Sequence, residues 1–213
     1  MKKILAAEAI GTMLLVATVI GSGIMAGRLA GGNDAVALLG NTVATGAMLF
    51  LLISVFGPIS GAQFNPVVSL LFSNGHSRGA VIAVQVVAAV SGAMLAHVMF
   101  GHALLETGAK LRTGPAIWLS EAVATFGLLM TIRLGAHHCP NALPALVAAW
   151  IIAGYWFTSS TSFANPAVTM ARALTDSFAG IRMVDVPGFV LAQVGGATLG
   201  YLIGGWLIAE EKS

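Results

Sequence analysis

Two Asn-Pro pairs stand one hundred residues apart: Asn65-Pro66-Val67 in SGAQFNPVVSLLF and Asn165-Pro166-Ala167 in SSTSFANPAVTMARAL. Each follows a stretch rich in Gly or Ser and opens an apolar run too short to cross a bilayer, which takes about 20 residues. The chemistry suits a helix start: Asn accepts from the free N–H groups of a first turn, and Pro has none to lose there. One such pair is an ordinary cap. Two, at matching places in the halves of a very apolar chain, predict a pair of half-helices. In membrane proteins, interrupted segments so placed point to a solute path.

The rest of the chain names the solvent. Of 213 residues, 57% are hydrophobic and 8% charged, against about 25% charged in an average soluble domain. Six runs have spanning length: 4–25, 35–56, 80–103, 116–134, 143–161 and 186–209. The first lacks a convincing cleavage site and reads as a span, not a removable signal. The expected fold is therefore an all-α membrane protein of six transmembrane helices and two re-entrant half-helices. It forms one domain, 1–213, with repeats of about 1–106 and 115–213. Glu8-x-x-x-Thr12 echoes Glu121-x-x-x-Thr125, and Gln85 in the third span has a counterpart in Gln193 in the sixth. Three spans per half is an odd number, so the second half runs in the opposite sense, as an inverted repeat. The 26 glycines suit close helix packing.

Several function classes lack a signature. The single Cys139 excludes an intrachain disulfide and a thiol-only metal site. His137-His138-Cys139, between the halves, is an incomplete ligand set and reads as a plain loop. No phosphate loop, nucleophile elbow or zinc-ligand pair on a helix is present. No enzyme activity, cofactor or metal is expected. The net charge of +2, without runs of like charge, gives no nucleic-acid partner. His97 and His102 read as interfacial, and Trp118, Trp150, Trp156 and Trp206 as belt or lipid-facing residues. With the N-terminus inside, Lys2, Lys3, Arg78, Arg133 and Lys212 fall inside, and Arg28, Lys110, Arg112, Arg172 and Arg182 outside. Charge alone sets no orientation.

These motifs resemble the aquaporin, or major intrinsic protein, family over essentially the whole chain. SGAQFNPVVSL is similar to the family's S-G-A-H-x-N-P-A-V-T-L loop, with Gln63 for His and Val67 for Ala. Glu8 and Glu121 sit where the family keeps one Glu in the first helix of each half. One departure matters: the family usually places Arg after the second Asn-Pro-Ala, and here that residue is Val168. The resemblance implies a homotetramer with one pore per subunit, in the bacterial inner membrane, with both termini cytoplasmic.

The constellation has a physical reading. Re-entrant helices entering from opposite faces bring two positive dipole ends together near the midplane. Asn65 and Asn165 then offer N–H donors to a neutral solute, while cations are opposed. The resemblance also implies a four-residue outer constriction, carried over onto Thr45, Ala153, Ser162 and Val168, with Gly154 in place of Ala153 on a one-residue slip. All are small or medium and uncharged, so a wide opening is expected. Glu8 and Glu121 are ionisable groups inside spans. They are either proton sites or, as the resemblance implies, acceptors that brace the loops. The expected function is a passive channel for small uncharged solutes. Resemblance to bacterial family members with an Arg-free filter, some of which pass trivalent metalloid acids, implies arsenous acid as the preferred cargo, with glycerol or water as further cargo. The alternatives are a water/glycerol facilitator with no metalloid role and a proton-coupled transporter.

Overall fold

The computed structural model describes residues 1–72 and 78–210. Lys212, counted above among the inner charges, lies outside the described residues. Helices α1 (Lys2–Leu29), α2 (Asp34–Ser60), α3 (Pro66–Phe72) and α4 (Arg78–Phe100) form the first half; α5 (Pro115–His138), α6 (Leu143–Phe157), α7 (Pro166–Arg172) and α8 (Val186–Glu210) form the second. Among the described residues, six helices are long and apolar enough to cross a membrane. The other two, α3 and α7, have seven residues each. At about 1.5 Å per residue each covers only about a third of a hydrocarbon core about 30 Å thick.

The packing repeats. Helix α1 packs on α2 and α4, and α5 packs correspondingly on α6 and α8, while α2 meets α6 across the halves. Close approach at two crossings depends on missing side chains. A Cβ on Gly92 of α4 would stand 2.5 Å from the Met13 carbonyl of α1, and one on Gly196 of α8 would run into the Ala122 carbonyl of α5. Small residues thus let these backbones touch. Large apolar side chains such as Leu39, Val43, Leu51 and Val55 of α2 point outward and are about half exposed, as suits a lipid or subunit-facing surface.

Some element ends differ from the sequence reading. The fifth span stops at Phe157 instead of 161, because Thr158 turns to an extended conformation and its Oγ1 donates to the Gly154 carbonyl at 2.6 Å. The third ends at Phe100, where Gly101 follows with φ of 70°. The fourth continues past 134 to His138, so His137 and His138 are the last turn of α5 instead of a loop, a place that suits side chains able to carry positive charge. His97 is buried instead of interfacial: its ring nitrogens face the Leu104 carbonyl at 3.1 Å and Thr175 Oγ1 at 2.9 Å. Trp150 also turns inward, donating from Nε1 to the Ala124 carbonyl at 2.9 Å and stacking edge-on with Phe157.

Candidate solute pathway

The loops before α3 and α7 carry the same backbone signature. Ala62 (φ 47°) and Phe64 (φ 46°) in the first are matched by Ser162 (φ 48°) and Ala164 (φ 48°) in the second. Non-glycine residues rarely adopt this left-handed conformation, and a cluster of them persists only where the surroundings enforce it. The enforcing groups are carboxylates. Glu8 Oε1 accepts from the Gln63 N–H at 2.9 Å and the Ser60 hydroxyl at 2.6 Å, and its Oε2 accepts from the Phe64 N–H at 2.8 Å. Glu121 accepts from the Phe163 N–H at 3.3 Å and from the Ala164 N–H. Both are fully buried.

Each carboxylate is tied onward through a glutamine. Gln85 donates to Glu8 and to Ser69 of α3, both at 2.8 Å. Gln193 donates to Glu121 at 3.1 Å and to Thr169 of α7 at 2.8 Å. The sequence pairs these glutamines as counterparts without giving them a place in the network. Their matched positions in the two halves were the available signal.

The Asn-Pro pairs meet at the centre. Asn65 Oδ1 accepts from the Val67 N–H at 3.2 Å, and Asn165 Oδ1 accepts from the Ala167 and Val168 N–H groups at 3.0 and 3.3 Å. These are N-cap bonds. The amide nitrogens cross over: Asn65 Nδ2 donates to the Ala164 carbonyl at 2.7 Å, and Asn165 Nδ2 donates to the Phe64 carbonyl at 2.8 Å. An amide has two N–H groups, so each Asn keeps a second donor. Pro66, Pro166, Val67 and Ala167 are buried in the first turns behind them.

Asn65 and Asn165 both line a cavity of about 100 Å³. One part of its wall is apolar, with Leu15, Val19, Leu49, Ile53, Val147 and Ile151. Thr45, Ser162 and Val168 also line it. Ala153 does not: it lies on the exposed face of α6, while its neighbour Gly154 is buried, with Ser162 Oγ 2.6 Å from where a Cβ would sit. One residue is a rotation of about 100° on a helix, so the unslipped alignment faced the wrong way.

The cavity also holds polar and charged side chains beyond those four positions. Tyr155 and Arg172 line the cavity, and the Tyr155 hydroxyl donates to Thr45 Oγ1 at 3.4 Å. Arg172, counted from sequence as an outer charge, is 1% exposed. Arg112 is buried as well, donating to the Ser160 carbonyl at 3.2 Å and Gly180 carbonyl at 2.9 Å. Burial pushes the Arg112 guanidinium down to about 10, so it remains charged at neutral pH. Among the described residues, no group of three or more His, Cys, Asp and Glu is gathered as a metal site would require.

Comparison with known proteins agrees with this architecture. Residues 1–153 match the model of the major intrinsic protein family. The chain is 51% identical to the aquaglyceroporin AqpS of Rhizobium meliloti (strain 1021) over 211 residues, covering 97% of this chain and 90% of that one. It is 31% identical to aquaporin TIP1-2 of Musa acuminata, covering 79% and 73% of the two chains, and 28% identical to aquaporin NIP2-1 of Zea mays, covering 92% and 69%. Multi-pass helices, crossed Asn-Pro loops and these matches lead to one conclusion: the chain belongs to the major intrinsic protein family, a family of membrane channels and not of enzymes.

Proposed function

We propose that this channel passes small, uncharged, oxygen-rich solutes down their gradients, arsenous acid and glycerol first and water as a lesser cargo. The observation that carries the reading is the cavity itself. It sets an apolar wall against the two Asn amides, each with an N–H to spare. Arsenous acid and glycerol each present hydroxyl groups that can trade water for such donors. The printed name of the Rhizobium meliloti relative, aquaglyceroporin, supports the glycerol class.

In this reading Asn65 and Asn165 are the central donors, and Thr45, Gly154, Ser162 and Val168 surround the outer constriction. Glu8 and Glu121 brace the loops. Their oxygens already hold backbone and glutamine donors, which favours that role over proton carriage. The family resemblance supports a homotetramer in the bacterial inner membrane with both termini cytoplasmic.

Stopped-flow light scattering on proteoliposomes tests the reading, with water, glycerol, urea and arsenous acid in turn. Glycerol and arsenous acid should cross faster than in empty liposomes, in either direction, and ignore an imposed pH gradient. Proton-driven accumulation against the solute gradient overturns the channel reading in favour of coupled transport.

A further inference from the structure

Val168 leaves the second half-helix without the cation that would stand directly after its Asn-Pro-Ala motif. A guanidinium reaches the cavity nevertheless. Arg172 lies one turn further along α7, and helical side chains lean back toward the N-terminus. A turn rises about 5.4 Å, which a long Arg side chain can span, so its head group is directed toward the level of Val168.

Arg172 is held by its neighbours, the Tyr155 hydroxyl among them, except at one nitrogen. Its Nε donates to the Ala179 carbonyl, and its guanidinium carbon stands 3.4 Å from the centroid of the Phe163 ring. Its Nη1 is buried with no hydrogen-bond partner. Ser162 Oγ, on the same cavity wall, is likewise buried and unpartnered. Among the described residues no carboxylate pairs with Arg172. The Arg112 guanidinium lies over the same Phe163 ring at 5.0 Å and adds a second positive charge. Buried polar groups ordinarily find a partner. Two orphans on one cavity wall therefore point to an acceptor that comes and goes.

We propose that Arg172, with Ser162, Tyr155 and Thr45, forms a solute-binding collar. Arg172 Nη1 donates to an oxygen of a passing polyol or neutral oxyacid, and its fixed charge turns cations back. The guanidinium absent at position 168 is thus supplied from position 172. This rests on the channel reading and assigns it a specificity-determining residue.

The test uses full-length protein in proteoliposomes, with glycerol and potassium ions as probes. Four proteins are compared: wild type, Arg172→Gln, Arg172→Lys, and Arg172→Gln combined with Val168→Arg. Arg172→Gln should raise potassium leak by about tenfold and lower the glycerol-to-water permeability ratio severalfold, since both the charge and the planar fork are lost. Arg172→Lys should still exclude potassium but lose the ratio, because an ammonium replaces the fork. The double variant should regain potassium exclusion. A folded Arg172→Gln protein that matches wild type in leak and ratio overturns the proposal. If that variant does not fold, an unchanged ratio in Arg172→Lys overturns it instead. Failure of the channel reading looks different: the wild type itself then passes no glycerol down its gradient.

Discussion

The two half-helix loops are alike near the centre of the molecule and unlike toward its ends. Near the centre every part has a counterpart. Glu8 and Glu121 hold loop N–H groups, Gln85 and Gln193 bridge them to Ser69 and Thr169, and each Asn caps one half-helix while bonding to the other loop. Toward the ends the match stops. Arg172 closes α7 and packs on Phe163, whereas the corresponding positions of the first half hold Phe72 and Gln63, and Phe72 packs on Tyr201. Position 172 holds a cation and its counterpart an aromatic, with Arg133 of α5 standing over the Tyr201 ring that this aromatic meets. The repeated parts hold two strained loops in position, and the unrepeated parts are where selectivity can reside.

The largest expected effect breaks the repeated part. Glu8→Leu and Glu121→Leu each strand buried donors, at about 1–3 kcal/mol per orphaned group. Both variants should lose most of their folded, monodisperse protein on size-exclusion chromatography. Glu8→Gln and Glu121→Gln keep one acceptor oxygen and should retain a substantial fraction. If one Leu variant folds normally while the other collapses, the halves are not equivalent supports. Equal, complete loss of flux in well-folded Gln and Leu variants would instead argue for titrating carboxylates.

A smaller effect is expected at the crossing. Asn65→Ala and Asn165→Ala each remove a cap, at about 1 kcal/mol, and a cross-loop hydrogen bond of similar size. Each should lower the thermal midpoint by several degrees and either reduce glycerol flux or admit ions, with similar losses on the two sides. Wild-type flux and ion exclusion in both variants would reduce these residues to helix caps.

The fold was legible because its signals are chemical and local. A bilayer demands long apolar runs, and an Asn-Pro pair before a short one marks a half-helix. Span ends were less legible, since Thr158 ends α6 through a hydroxyl-to-carbonyl bond that hydropathy does not register. The collar was least legible. Ala153 and Gly154 are both small and adjacent, and only helix rotation tells which faces the cavity. Arg172 looked like a solvated charge in an outer segment. Nothing in its neighbours reveals that Phe163 and the Ala179 carbonyl draw it inward.

The smallest expected effect sharpens the comparison at one glycine in each half. Gly57 of α2 and Gly154 of α6 hold the same place. Each accepts, through its carbonyl, the N–H of the residue that ends its helix, Gly61 at 3.0 Å and Thr158 at 3.2 Å. Their surroundings differ. Apart from its own helix and chain neighbours, a Cβ on Gly57 meets nothing within 4 Å, whereas one on Gly154 comes 2.6 Å from Ser162 Oγ and 2.8 Å from Ser162 Cβ. Gly57→Ala should leave flux unchanged with little net change in stability, because the entropy gained in the unfolded chain is offset by crowding of the new Cβ against the ring of Pro58. Gly154→Ala gains the same entropy term but must push Ser162, whose φ of 48° gives it little room to yield. The displaced hydroxyl narrows the collar, so glycerol flux should fall by about two- to fivefold while water flux falls less. Ala153→Ser, on the exposed face of the same helix, should do nothing. The readout is the glycerol-to-water permeability ratio in proteoliposomes. If Gly57→Ala and Gly154→Ala change it equally, the contact between Gly154 and Ser162 does not set selectivity, and the division between repeated scaffold and unrepeated filter fails.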